Sequence, residues 1–187
     1  MMENPGTKIS IEKIKGDVKM QMRILMHLIS LHNKIGISND RYILIFNDML
    51  SGFGGKSGES IPLDQLEEHY VINYNQYYEP YMRDHSYVLE NYLVNHVFES
   101  LFPGSGDRIF SDYSLMVVLY LMIRIHLIGI SGHYKQLNDD IIVKVVQSLI
   151  RVTEHSPDYL RSIRQFFKEN EFDSLAHVVA ILSTRTA

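Results

Sequence analysis

The sequence predicts an all-α protein, an irregular bundle of about seven or eight helices around a buried central helix at residues 114–130. Three observations carry that prediction. Apolar residues recur at helical spacing in one segment after another, with capping residues between the segments. Strand signals are absent, and no internal repeat is visible. The stretch Ser114–Ile130, SLMVVLYLMIRIHLIGI, is apolar on every helical face except at Arg124 and His126. A surface helix shows an apolar stripe about 100° wide, whereas a helix that is apolar all round is buried. A membrane span needs about 18 to 20 apolar residues with few charges, and this run is slightly short and holds an arginine. It is read as a core helix.

Composition sets the outer bounds. The 187 residues fit one domain, divided into a poorly ordered lead-in at 1–16 and a single helical domain at 17–187. Hydrophobic residues at 45% and charged residues at 21% are ordinary globular values. A net charge of −4 with no Lys/Arg block leaves no electrostatic footprint for nucleic acid. Met1–Gly16 is polar and lacks the apolar core of a signal peptide, so a cytoplasmic protein outside the membrane is expected. The chain contains no cysteine. That excludes disulfides, thiolate zinc sites, cysteine-ligated iron–sulfur clusters and cysteine nucleophiles within it.

The helices follow in order. Val18, Met22, Leu25 and Ile29, with Ile24, Leu28 and Leu31 beside them, mark an amphipathic helix that Gly36 ends. Ser38-Asn39-Asp40 can cap a second helix running to about Ser51. The stretch Gly52–Ser60, GFGGKSGES, contains GGKS, but a phosphate-binding loop requires a glycine where Leu50 stands, and no strand precedes it. It is read as a glycine-rich loop. Ser60 caps a third helix with Pro62 in its first turn. Tyr70, Tyr74, Tyr77, Tyr78 and Tyr81 follow at spacings that place five phenol rings on one helical face. That face is either half-buried with hydroxyls reaching polar partners, or a surface that receives a peptide or alkylated ammonium. Pro80 kinks or restarts the helix.

Ser86–Leu101 is the next helix, with Val88, Leu89, Tyr92, Leu93, Val97 and Leu101 as core rows, and Pro103-Gly104 stops it. Between the rows run Glu90, Asn91, Asn95 and His96; Asn91 and Asn95 lie four apart and share a face. This polar stripe is either a solvated edge or a functional surface. Asp107 or Ser111 opens the central helix. Asn138-Asp139-Asp140 starts a helix carried by Ile141, Val145, Leu149 and Val152, its acids complementing the helix dipole. Ser156-Pro157 starts another, buried through Tyr159, Leu160, Ile163, Phe166 and Phe167. A short last helix follows Asp173 with Leu175, Val178, Val179 and Leu182 inward.

Other chemistry finds little support. His27 and His32 lie five apart, off a common helical face, and no His-Glu-x-x-His occurs, so no metal ligands are assigned. The G-x-S-x-G nucleophile elbow is missing. Arg124 and His126 in the core helix require partners, because a buried unpaired charge is costly. Glu90 or Glu99 on the preceding helix is the expected acid for Arg124.

The segment Tyr87–Pro103, YVLENYLVNHVFESLFP, resembles the C-terminal half of the flagellin lysine-N-methylase family. In that family a Leu-Glu-Asn-Tyr-Leu-Val-Asn helix ends at Phe-Pro, here Leu89–Asn95 and Phe102-Pro103. The apolar helix ending in His126-Leu127-Ile128-Gly129 is similar to that family too, as is the sequel from Leu149 to His155 and Tyr159-Leu160. The likeness is sharpest over Ser86–Leu160. It implies a bacterial protein whose family transfers methyl groups from S-adenosylmethionine to lysines on flagellin, its partner. The family's cysteine-rich N-terminal part, with its iron–sulfur cluster, has no counterpart here. The resemblance therefore implies a helical C-terminal portion that scaffolds and recognises substrate, with no catalytic residue and no activity alone. The candidate recognition residues are Glu90, Asn91, Asn95, Tyr70, Tyr74, Tyr77 and Tyr81. The alternatives are a free-standing helical interaction or small-ligand-binding module, like the effector domains of bacterial regulators, and an inactive remnant.

Overall fold

The computed structural model describes residues 16–35, 39–56, 61–103, 109–153, 156–170 and 174–183. They form α1 (Val18–Ile35), α2 (Asp40–Gly52), α3 (Leu63–Asn73), a π-helical turn (Tyr74–Tyr78), α4 (Glu79–His85) and α5 (Tyr87–Glu99). Then come α6 (Ile109–Tyr134), α7 (Asp139–Thr153), α8 (Pro157–Glu169) and α9 (Leu175–Leu182). With α3 to α4 taken as one run, the described residues hold 8 helices and no strand. The all-α expectation holds. All but the last residue of the expected lead-in lies outside the described residues, as do Gly36, Ser60 and Asp107.

The 26-residue α6 extends beyond the predicted 114–130 at both ends, and every residue from Leu121 to Gly132 is buried. Helices α1, α2, α3, α5, α7, α8 and α9 all pack against it. Among the described residues it is the one helix long and apolar enough to cross a membrane, and 89% of its most apolar window is buried inside the protein. Its apolar character is thus spent on neighbouring helices. Each fully buried leucine or isoleucine, such as Leu127 and Ile128, contributes about 1.5–3 kcal/mol.

The helix starts follow the predicted chemistry. The Asn39 side chain accepts from the N–H groups of Arg41 and Tyr42, at 3.0 and 3.3 Å. Asn138 accepts from Ile141 at 2.9 Å, and Asp139 and Asp140 sit in the first turn of α7. Ser156 and Ser174 cap α8 and α9. At α3, by contrast, Pro62 itself occupies the capping position and makes no side-chain bond.

Buried faces differ from prediction mainly by one position. On α7 Ile142 is buried and Ile141 half-buried; on α9 the innermost residues are Val178 and Ile181. On α5 only Leu89 and Tyr92 are fully buried. Leu101, expected in that row, lies past the end of α5 with positive φ and is 77% exposed.

Helices α2 and α6 approach each other closely. A Cβ on Gly52 would stand 1.7 Å from the carbonyl oxygen of Gly129, and one on Gly129 would stand 2.6 Å from Met49 Cγ. Only glycines allow the two backbones to meet there. Asn73 seals the junction from α3, its amide donating to the Gly52 carbonyl at 2.8 Å.

Candidate functional site

The tyrosine run does not keep one face. Pro80 has no N–H to donate, and in a regular helix its ring would meet the carbonyl of Gln76. The chain widens into a π turn instead, with the Glu79 N–H bonded to the Tyr74 carbonyl five residues back. That shift splits the stripe into two rows. Tyr70, Tyr74 and Tyr78 stack inward, with ring centroids 6.2 and then 5.5 Å apart. Tyr77 and Tyr81 face α7 and its approach. The Lys135 ammonium lies 5.4 Å from the Tyr77 ring centre, and the Tyr81 hydroxyl donates to Asp139. Burial and then the Asp139 carboxylate push the Tyr81 phenol up to about 12.

The inward row opens onto a cavity of about 590 Å³ between the π turn, α5 and α6. Tyr74 and Tyr78 form one wall, Tyr113 and Tyr120 of α6 another, and Glu90 enters from α5. Burial gives the cavity a direction. Ser86 and Glu90 are exposed and mark the mouth, whereas Tyr78, Leu89, Val117 and Arg124 are buried and make the floor. The Tyr78 hydroxyl has no hydrogen-bond partner among the described residues, and its phenol is raised well above the ordinary value. Burial is the main cause, followed by neighbouring Tyr120, against the opposing pull of Arg124. It is therefore a neutral donor.

Arg124 is 1% exposed and has no carboxylate partner among the described residues. Its two terminal nitrogens donate to the Leu182 carbonyl at 2.7 Å, the Ile181 carbonyl at 3.0 Å and Gln21 Oε1 at 3.1 Å. The expectation of Glu90 or Glu99 as its acid is therefore corrected. The last carbonyls of α9 lack helical N–H partners, and they satisfy the guanidinium at the negative end of a helix dipole. Gln21 joins the network from α1, accepting from the Tyr70 hydroxyl at 3.2 Å and donating to the Ser183 carbonyl at 3.2 Å. The guanidinium also lies 5.8 Å from the Tyr120 ring centre.

Of the residues singled out from the sequence, Glu90 and Tyr74 meet at this cavity. Tyr70 lies behind it, buried, with its hydroxyl on Gln21. Tyr77 and Tyr81 belong to the outer row, and Asn91 and Asn95 are exposed on α5. Sequence reasoning missed Tyr113 and Tyr120, although the signal was present. Tyr113, Tyr120 and Arg124 stand at i, i+7 and i+11 of α6 and so share one face of a helix that otherwise reads as uniformly apolar.

The family model for the FliB lysine N-methylase C-terminal domain matches residues 1–181. The chain belongs to the FliB lysine N-methylase C-terminal domain family. The match spans far more than the Ser86–Leu160 stretch in which the resemblance is sharpest, and takes in the helices that build the cavity as far as Ile181 of α9. Comparison with curated proteins and with solved structures returns no match. Within the FliB-like motif, Leu89 and Tyr92 anchor α5 to the core and Glu90 faces the cavity. Gly129 of the second matching segment is where α2 meets α6.

Proposed function

We propose that this FliB-family domain serves methyl transfer from S-adenosylmethionine to flagellin lysines by recognising the substrate, with the cavity receiving the lysine side chain. The observation that carries this reading is a single carboxylate, Glu90, at the mouth of a shaft walled by four tyrosine rings. A lysine is attracted first by the carboxylate, and its apolar stem then packs against Leu89 and Val117. Ring faces add further attraction along the way. The exposed amides of Asn91 and Asn95 continue the recognition surface along α5.

On this reading S-adenosylmethionine binds outside this cavity. Its methionyl carboxylate calls for a cation, and both terminal nitrogens of Arg124 are committed to acceptors within the protein, which leaves only the buried Nε with an unshared N–H. No other Lys or Arg lines the cavity. The methyl donor is accordingly held elsewhere in the methylase, and this domain supplies scaffolding and substrate binding in the cytoplasm. Titration calorimetry of the purified chain against monomeric flagellin and against S-adenosylmethionine tests the reading. Flagellin binding that weakens in Glu90→Gln, without donor binding, is the expected result. Donor binding overturns the division of labour. Binding to neither points to a small-ligand module, for which the volume lies within the usual range of about 300–1,000 Å³.

A further inference from the structure

Resting on the flagellin reading, we infer that the outward face of α5 is a second contact surface, which holds the apolar side chains that flank a target lysine on flagellin. The two faces of α5 carry the argument. The inner face is buried against the bundle through Leu89 and Tyr92. The opposite face is apolar too. Tyr87, Asn91, Val94 and Phe98 stand at i, i+4, i+7 and i+11, within an arc of about 60° around the helix. Tyr87, Val94 and Phe98 are 50%, 51% and 75% exposed, and Leu101 just past the helix is exposed as well. A helix that is apolar on both faces is ordinarily covered on both. Within the bundle α6 meets that rule, whereas α5 meets it on the inner side alone. Its outer ridge runs about 16 Å from Tyr87 to Phe98, and contiguous exposed apolar surface of this kind marks an interaction site.

Charge selects the occupant. Helix α5 carries Glu90 and Glu99 and no lysine or arginine. Glu90 lies about 70° round the helix from the middle of the ridge and stands at the mouth of the cavity. A segment whose lysine passes Glu90 therefore has its neighbouring residues within reach of the ridge. Such a partner supplies the cation that α5 lacks, and its apolar side chains cover Val94 and Phe98. A second copy of this chain would instead set the same carboxylates against each other and bring no cation from α5. Asn91 interrupts the ridge with an exposed amide, which can bond the partner's backbone and set the register, as a lone asparagine does in an apolar helix seam. The cavity thus reads the lysine itself, and the ridge reads what surrounds it.

The test is titration calorimetry of the full chain and of a Val94→Ser/Phe98→Ser double variant, with monomeric flagellin and with Nα-acetyl-L-lysine methylamide as probes. Both side chains are exposed, so circular dichroism and melting temperature are expected to stay at wild-type values. The double variant is expected to bind flagellin at least about tenfold more weakly, with a less negative heat-capacity change. Its affinity for the lysine probe, which reaches the cavity alone, is expected to be unchanged, whereas Glu90→Gln weakens both. Equal affinity of wild type and double variant for flagellin overturns the inference. So does light scattering that shows a wild-type dimer abolished in the double variant, because a second copy then occupies the ridge. No binding of the lysine probe, with flagellin binding still sensitive to the ridge, removes the lysine reading of the cavity and leaves the ridge standing. Flagellin that binds neither protein overturns both.

Discussion

The Arg124 guanidinium fastens the last turn of α9 and Gln21 of α1 to the middle of α6 through three hydrogen bonds. Arg124→Met removes these donors and leaves buried carbonyls without partners, each worth about 1–3 kcal/mol. The expected loss is about 2–4 kcal/mol in urea unfolding, with Arg124→Lys intermediate because an ammonium cannot reach all three acceptors at once. His27 supplies a pH dependence. Its ring lies flat on Phe166, with centroids 3.7 Å apart, and burial first, then Lys34, holds the imidazole below its ordinary 6.5. Below pH 6.5 the unfolded chain therefore binds more protons than the folded one, and stability falls as pH drops through that window. Unfolding free energies measured at about pH 5 and pH 7 are expected to differ, and His27→Gln to narrow the gap. The need for a partner at Arg124 was legible in the sequence, because a charge in an apolar run is conspicuous. Its identity was not, since backbone carbonyls of a distant helix end carry no sequence signature.

Among the elements, α2 and α6 depend on a glycine pair. Gly129→Ala places a methyl 2.8 Å from the Met49 carbonyl oxygen and against its side chain, so the helices must separate. Overpacking of this kind costs about 1–3 kcal/mol, to be read as a lowered melting temperature with the helical circular dichroism retained. Gly52→Ala is expected to be worse, because its new atom would stand 1.7 Å from the Gly129 carbonyl oxygen, a much deeper clash with backbone. The π turn teaches a related lesson. Pro80 announced a disruption, yet spacing alone put all five tyrosines on one face. One extra residue in the turn rotates Tyr77 and Tyr81 away from Tyr74 and Tyr78. A proline marks where a helix must yield without saying by how much, because kinking and widening both relieve the same clash.

At the scale of the whole molecule, the buried polar network links α1, α3, α6 and α9. A chain ending at residue 180 loses the Ile181, Leu182 and Ser183 carbonyls together. A loss of about 3–4 kcal/mol would lower the melting temperature by about 6–16 °C in a chain of this size. Combined with Arg124→Met, the truncation is expected to cost much less than the sum of the two, because both remove the same contacts. Additive losses would show that α9 is held mainly by the apolar packing of Val178 and Ile181.

By itself the sequence determined the all-α class, the central buried helix, most of the caps and the family. These rest on local periodicity, on residue chemistry within a few positions and on a contiguous motif. Only the tertiary structure decided that Glu90, Tyr74, Tyr78, Tyr113, Tyr120 and Arg124 surround one cavity. It also decided that α9 closes on the arginine from below. Those relations join segments distant in the chain, and helical spacing constrains which residues share a face without stating which faces meet.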